Sequence, residues 1–295
     1  MAGTSWLGRY IGEALGVFLI VLFGDAVVFA AVLAGVVPDL ITVGVAWGFA
    51  VAIAVWAGAS LSGAHFNPGV TLAMALRRHF PWPQVIPYWL AQIAGGFLAA
   101  ATLTSFYGGL IDARLSGLGL AKGAEGSQLV SMIYVPYAPN PGMIGIGPAA
   151  TAAGLKALEG WSKVSAWQGA VAEFVATALL VVFILALLEE RSVNLPAGWF
   201  FPLALGVGVA LLVVLAAPVS MASLNAARDL GPRLFMALTG WGRMAFPGPR
   251  GDWWVTTVVP TVGAVAGAYF YDYVLARFLP RAASQPEVAS RTTAA

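Results

Sequence analysis

Ser62-Gly63-Ala64-His65-Phe66-Asn67-Pro68-Gly69-Val70-Thr71 has a counterpart far down the chain, Ser223-Leu224-Asn225-Ala226-Ala227-Arg228-Asp229-Leu230-Gly231-Pro232-Arg233. In each stretch an Asn heads a short apolar run. Asn is a good helix N-cap and Pro favours the first helical position. Asn67-Pro68 therefore reads as a helix start, and Asn225 as a cap without the proline. Each run is too short to cross a hydrocarbon core of ~30 Å at about 1.5 Å per residue. Short apolar helices beside full spans read as re-entrant segments, which a membrane tolerates where protein or a water-filled cavity covers their backbone ends.

Outward from these motifs lie six longer apolar runs, at about Trp6–Leu33, Leu40–Ala59, Gln84–Tyr107, Trp167–Leu188, Trp199–Ala217 and Trp253–Phe278. Each is long enough to span a bilayer. The 295 residues are 60% apolar and only 9% charged, with a mean hydropathy of +0.84. A soluble domain needs about 25% charged residues to cover its surface. The class is an all-α membrane protein. Disulfide scaffolds and thiol chemistry are excluded by the absence of Cys, and a His-rich metal site by having only His65 and His79. A net charge of +2 without a long basic run argues against nucleic acid as a partner.

The halves resemble each other. Glu13 opens Glu-Ala-Leu-Gly-Val-Phe-Leu-Ile-Val-Leu-Phe, and Glu173 opens Glu-Phe-Val-Ala-Thr-Ala-Leu-Leu-Val-Val-Phe. Asn67 lies 54 positions after Glu13, and Asn225 lies 52 after Glu173. Three spans per half force the second copy to insert upside down. The expected organisation is a first repeat at 1–110 with a half-helix at 67–77, a long extracellular connector at 111–163, a second repeat at 164–279 with a half-helix at 225–237, and a disordered cytoplasmic tail at 280–295. Arg9, Arg77, Arg78, Arg191, Arg277 and Arg281 collect on one side, which places both termini in the cytoplasm by the positive-inside rule.

Inverted repeats bring discontinuous helices together near the midplane. Two half-helices meeting by their N-termini put two positive dipole ends at one point. Their amides can hold the Asn carbonyls, leaving the Asn NH₂ groups as donors. Such a centre favours neutral molecules bearing lone pairs and disfavours a cation or a hopping proton.

Across residues 6–278 these features closely resemble the major intrinsic protein (aquaporin) family, in its aquaglyceroporin branch. The family's paired Asn-Pro-Ala boxes stand here as Asn67-Pro68-Gly69 and Asn225-Ala226-Ala227. Asp229 after Arg228, the segment from Gly240-Trp241-Gly242 to Pro247-Gly248-Pro249-Arg250, and Tyr137-Ala138-Pro139-Asn140-Pro141 resemble glycerol-facilitator marks. The resemblance implies six transmembrane helices plus two re-entrant half-helices in an inverted repeat, a homotetramer with one pore per protomer, and a cofactor-free passive channel. The implied cargo is glycerol, other small neutral solutes and water, and the implied setting is the plasma membrane with its lipids.

The same resemblance assigns roles. Arg228 donates to substrate hydroxyls at the narrowest constriction, with a structural ion pair to Asp229 as the plainer reading. Trp47 supplies an aromatic wall whose face rests on a solute's carbon chain. Val213 and Ala222 hold the other two constriction positions. This Trp-Val-Ala-Arg set is similar to the nodulin-26-like filter of plants, and its small side chains imply a pore wide enough for polyols or urea. Glu13 and Glu173 become scaffold carboxylates for the re-entrant loops, His65 a loop-holding residue in the cytoplasmic half, and Asp229 an orienting residue. At Ala226 the second box lacks the proline that would face Pro68, so the junction is expected to be looser. Gly8, Gly12 and Gly16 form a small-residue stripe for helix packing. Asp25, a charge inside the first span, has no assigned role.

Three rivals have checkable differences. A secondary transporter also suits inverted repeats and membrane carboxylates, but would couple flux to ions. An intramembrane hydrolase needs a nucleophile with a base in reach, and neither His stands beside one. A channel of the same fold for water, urea, hydrogen peroxide or metalloid acids differs only in its solute.

Overall fold

The computed structural model describes residues 4–37, 39–143, 164–191 and 198–279. The end of the expected connector, 144–163, and the tail at 280–295 lie outside the described residues. Among the described residues, six helices are long and apolar enough to cross a membrane. In chain order the principal helices are α1 (Trp6–Phe29), α2 (Leu40–Ser62), α3 (Pro68–Arg77), α4 (Val85–Gly117), α5 (Ala166–Leu187), α6 (Phe201–Ser220), α7 (Ala226–Leu238) and α8 (Trp253–Phe270). Helix starts follow capping chemistry. Ser5 accepts from the Gly8 amide, Asp39 from Thr42, and Ser165 forms a capping box with Gln168.

The packing is symmetric. α1 packs on α2 and α4, as α5 packs on α6 and α8. Each half-helix crosses to the other repeat's last span, α3 onto α8 and α7 onto α4. The repeats meet where α2 crosses α6. At this crossing a side chain on Gly48 would strike the Gly206 carbonyl, and one on Gly206 the Gly48 carbonyl. Small residues are what allow backbones this close. Gly12 faces Leu61 and Ser62, and Gly16 seats the Phe66 ring, so that stripe serves packing inside the bundle. Large apolar side chains such as Leu7, Phe106 and Leu211 face outward, as suits a lipid solvent.

The connector departs from its expected form. α4 continues to Gly117, and residues 127–141 are buried rather than draped outside. The reason is their apolar content. Tyr134 packs edge-on against Phe29 and Trp241, and Ile133 and Val135 join the same cluster. Tyr137 donates to the Met244 carbonyl at 2.9 Å, and the Asn140 amide donates to Ala217 at 2.8 Å. The segment thus roofs one end of the bundle.

Candidate functional site

The two loops that precede the half-helices are built alike. Ala64 and Phe66 adopt φ of 56° and 50°, and Ala222 and Leu224 adopt 52° and 56°. Left-handed backbone is unfavourable for side chains with a Cβ and persists only where surroundings enforce it. Here a buried carboxylate does so in each half. Glu13 accepts from the His65 and Phe66 amides at 3.0 and 2.7 Å, and from Gln92 at 2.7 Å. Glu173 accepts from the Ser223 and Leu224 amides at 2.8 and 3.0 Å.

The Asn residues close the centre. The Asn67 carbonyl accepts from Gly69 at 2.8 Å, and that of Asn225 from Ala227 at 2.9 Å and Arg228 at 3.3 Å. Their NH₂ groups cross the symmetry axis. Asn67 donates to the Leu224 carbonyl at 2.8 Å, and Asn225 to Phe66 at 2.7 Å. An amide NH₂ carries two hydrogens, so each Asn has one for the opposite loop and one for a passing molecule. The junction is therefore pinned by polar cross-bonds beside Pro68 and Ala226.

Two cavities adjoin one another near this centre. The inner one, about 80 Å³, is bordered by His65, Asn67, Asn225 and Ala222. The outer one, about 250 Å³, opens toward Asn140 and the start of α2. Trp47, Val213 and Arg228 border both, so they form the neck between them. Arg228 is 3% exposed, and its guanidinium lies 4.7 Å over the Trp47 ring. One face of Trp47 thus carries the cation rather than standing open. The Arg228 Nη2 donates to Asp25 at 3.1 Å, while Nε and Nη1 have no partner among the described residues. A neck with two free donors beside apolar Trp47 and Val213 can hold a molecule that is hydroxylated on one side and hydrocarbon on the other.

A sequence profile of the major intrinsic protein family matches residues 2–271. The chain belongs to the major intrinsic protein family. A propanediol uptake facilitator of Citrobacter freundii is 34% identical over 94% of this chain and 95% of its own. Glycerol uptake facilitators of Escherichia coli K12 and Pseudomonas aeruginosa are 34% and 32% identical, over 95% and 96% of this chain and 92% and 94% of theirs. Among solved structures, the aquaglyceroporin from Plasmodium falciparum shares the fold with a TM-score of 0.75. It is 23% identical, covering 92% of this chain and 98% of its own. Six apolar helices and the family together make this an integral membrane protein.

In this major intrinsic protein the plainer reading of Arg228 is overturned. Arg228 pairs with Asp25, and Asp229 pairs instead with Arg233 at 2.7 Å. Asp229 also accepts from Thr256 at 3.1 Å and from the Thr257 hydroxyl, which ties α7 to α8. Arg233 reaches on to the Ala245 carbonyl at 2.8 Å and the Pro136 carbonyl at 3.3 Å. His65 sits 3.3 Å from the Thr71 hydroxyl, with Phe80 and Tyr88 packed about its ring. The reading of residues missed Arg233, Gln92 and Asp25 as partners. Asp25 carried its own signal, a lone acid inside an apolar span, but its cation lies 203 positions away.

Gly69 also gains a reason. A side chain there would meet Ala264 at 2.7 Å and the Thr261 backbone at 3.1 Å. The first box carries glycine because α3 presses against α8.

Proposed function

We propose that the protein is a passive channel for glycerol and other small uncharged solutes, with water, that excludes ions and protons. The observation that carries this reading is the neck, where the two free donors of Arg228 adjoin the apolar surfaces of Trp47 and Val213. A polyol presents hydroxyls along one edge and carbon along the other, which matches that division. Trp47, Val213, Ala222 and Arg228 act as the selectivity filter. Asn67 and Asn225, at the heads of α3 and α7, supply donors and positive dipole ends against cations. Glu13, Glu173, His65 and Asp229 hold the loops. The reading includes a homotetramer in the plasma membrane with both termini cytoplasmic. It draws on the cluster of Arg77, Arg78 and Arg191 around Asp272 and Ala276, which gathers basic side chains at one end.

Stopped-flow shrinkage and reswelling of proteoliposomes tests it, with glycerol, urea and water compared. Glycerol flux should be fast, barely saturable and independent of any ion gradient. Ion-coupled or saturable uptake would favour the transporter, and passage of water alone would remove the wide-filter argument. A 1,2-diol with a terminal methyl is a second cargo favoured by the apolar Val213 and Ala222, and the same assay measures it.

A further inference from the structure

Helix α1 brings Gly24 and Asp25 to the neck from behind. Any side chain on Gly24 would overlap the Trp47 indole, so the glycine is the seat of that ring. The next residue, Asp25, is 1% exposed and holds the Nη2 of Arg228, whose guanidinium lies over the Trp47 ring. Asp25 borders neither cavity, so it touches no solute and works through the arginine. Its second oxygen has no partner among the described residues. A buried carboxylate held by one hydrogen bond is a costly arrangement unless the charge pair itself matters.

Charge accounting at the neck gives the reason. The N-termini of α3 and α7 point positive ends at the centre, and Arg228 adds a full positive charge. Asp229 and Arg233 compensate each other. Asp25 is therefore the carboxylate bonded directly to Arg228, with Glu173 the other carboxylate whose charge acts on it. Without it the positive charge at the neck would be less fully offset, still barred to cations but more open to small anions, because opposite charges attract strongly where water is scarce. The same bond draws the guanidinium toward α1 and onto Trp47, out of the middle of the neck.

We propose that Asp25 is a specificity-determining residue that acts through Arg228: it holds the guanidinium aside, which keeps the neck wide enough for polyols, and it offsets the charge, which keeps anions out. The proposal rests on the filter assignment given above.

Two variants separate the two effects. Asp25→Asn keeps an oxygen that accepts from Arg228 but loses the charge. Its glycerol-to-water permeability ratio should stay within about twofold of wild type, while nitrate flux into proteoliposomes rises about tenfold. Asp25→Val loses both the bond and the charge. Its glycerol-to-water ratio should fall about tenfold as the freed guanidinium enters the neck, and nitrate flux should rise as well. In an Arg228→Ala background, Asp25→Val should leave the glycerol-to-water ratio unchanged, because no guanidinium remains to enter the neck. Unchanged ratio and nitrate flux in the single variants, or equal shifts of the ratio with and without Arg228, would overturn the proposal. Should Asp25→Val not fold, the nearly isosteric Asp25→Asn decides it through the nitrate flux alone. If Arg228→Ala itself leaves solute selectivity as in wild type, the filter assignment fails, and that result is distinct from failure of the Asp25 proposal.

Discussion

Single residues set both the clearance and the chemistry of this channel. Gly69 packs where α3 meets Ala264 and Thr261, with no room for a methyl group. Gly69→Ala should therefore destabilise the protein by about 1–3 kcal/mol, the usual cost of overpacking, read as a lower melting temperature in detergent. A melt equal to wild type would show that α3 can slide to make room. Val213 faces the neck shared by the two cavities. Val213→Trp should reduce glycerol permeability about tenfold or more while water still passes, since a single file of water needs less width. Stopped-flow measurement of both solutes checks it, and an equal loss of both would point to a collapsed pore instead. The Asn caps were legible because Asn before a short apolar run has one strong structural meaning. The partner of Arg228 was not, because an ion pair between α1 and α7 is made by packing and leaves no spacing in the chain.

At the scale of elements, the two half-helices are held by loops rather than by length. Each loop contains three left-handed residues, and a carboxylate from a neighbouring span bonds two of its amides, Glu13 in one half and Glu173 in the other. The matching Glu positions were visible as a repeat, and the structure supplies the amides they hold. Ala226 begins α7 at a position where proline is well tolerated, and the next two amides already bond the Asn225 side chain. Ala226→Pro should stabilise the protein by about 0.4–1 kcal/mol through the unfolded chain, with solute flux near wild type. A marked drop in melting temperature would show that the ring does not fit beside Pro68. The burial of the connector was not legible in the chain: Ile133, Tyr134 and Val135 bury themselves against Phe29 and Trp241. Burial of a segment without helical or strand periodicity is decided by what it meets.

For the whole molecule, stability and function share one interface, the crossing of α2 and α6. Gly48 and Gly206 face each other there with no space for side chains. Gly206→Val should part the repeats and cost about 3 kcal/mol, the upper end for overpacking, seen as loss of the monodisperse peak in size-exclusion chromatography. A peak unchanged in height and position would mean that the repeats are held elsewhere. Arg233 is the second long-range tie: paired with Asp229 on its own helix, it joins α7 to the connector at Pro136 and to the loop at Ala245. By itself the sequence determined the membrane class, the six spans, the inverted repeat and the two capped half-helices. Each of these is written in local signals: hydropathy over a bilayer's thickness, cap residues, and a motif used twice. Only the tertiary structure decided that Arg228 belongs to Asp25, that Trp47 carries the guanidinium on its face, and that the connector roofs the bundle. Those are contacts between residues distant in the chain, and they are chosen by which surfaces and charges the fold brings within reach.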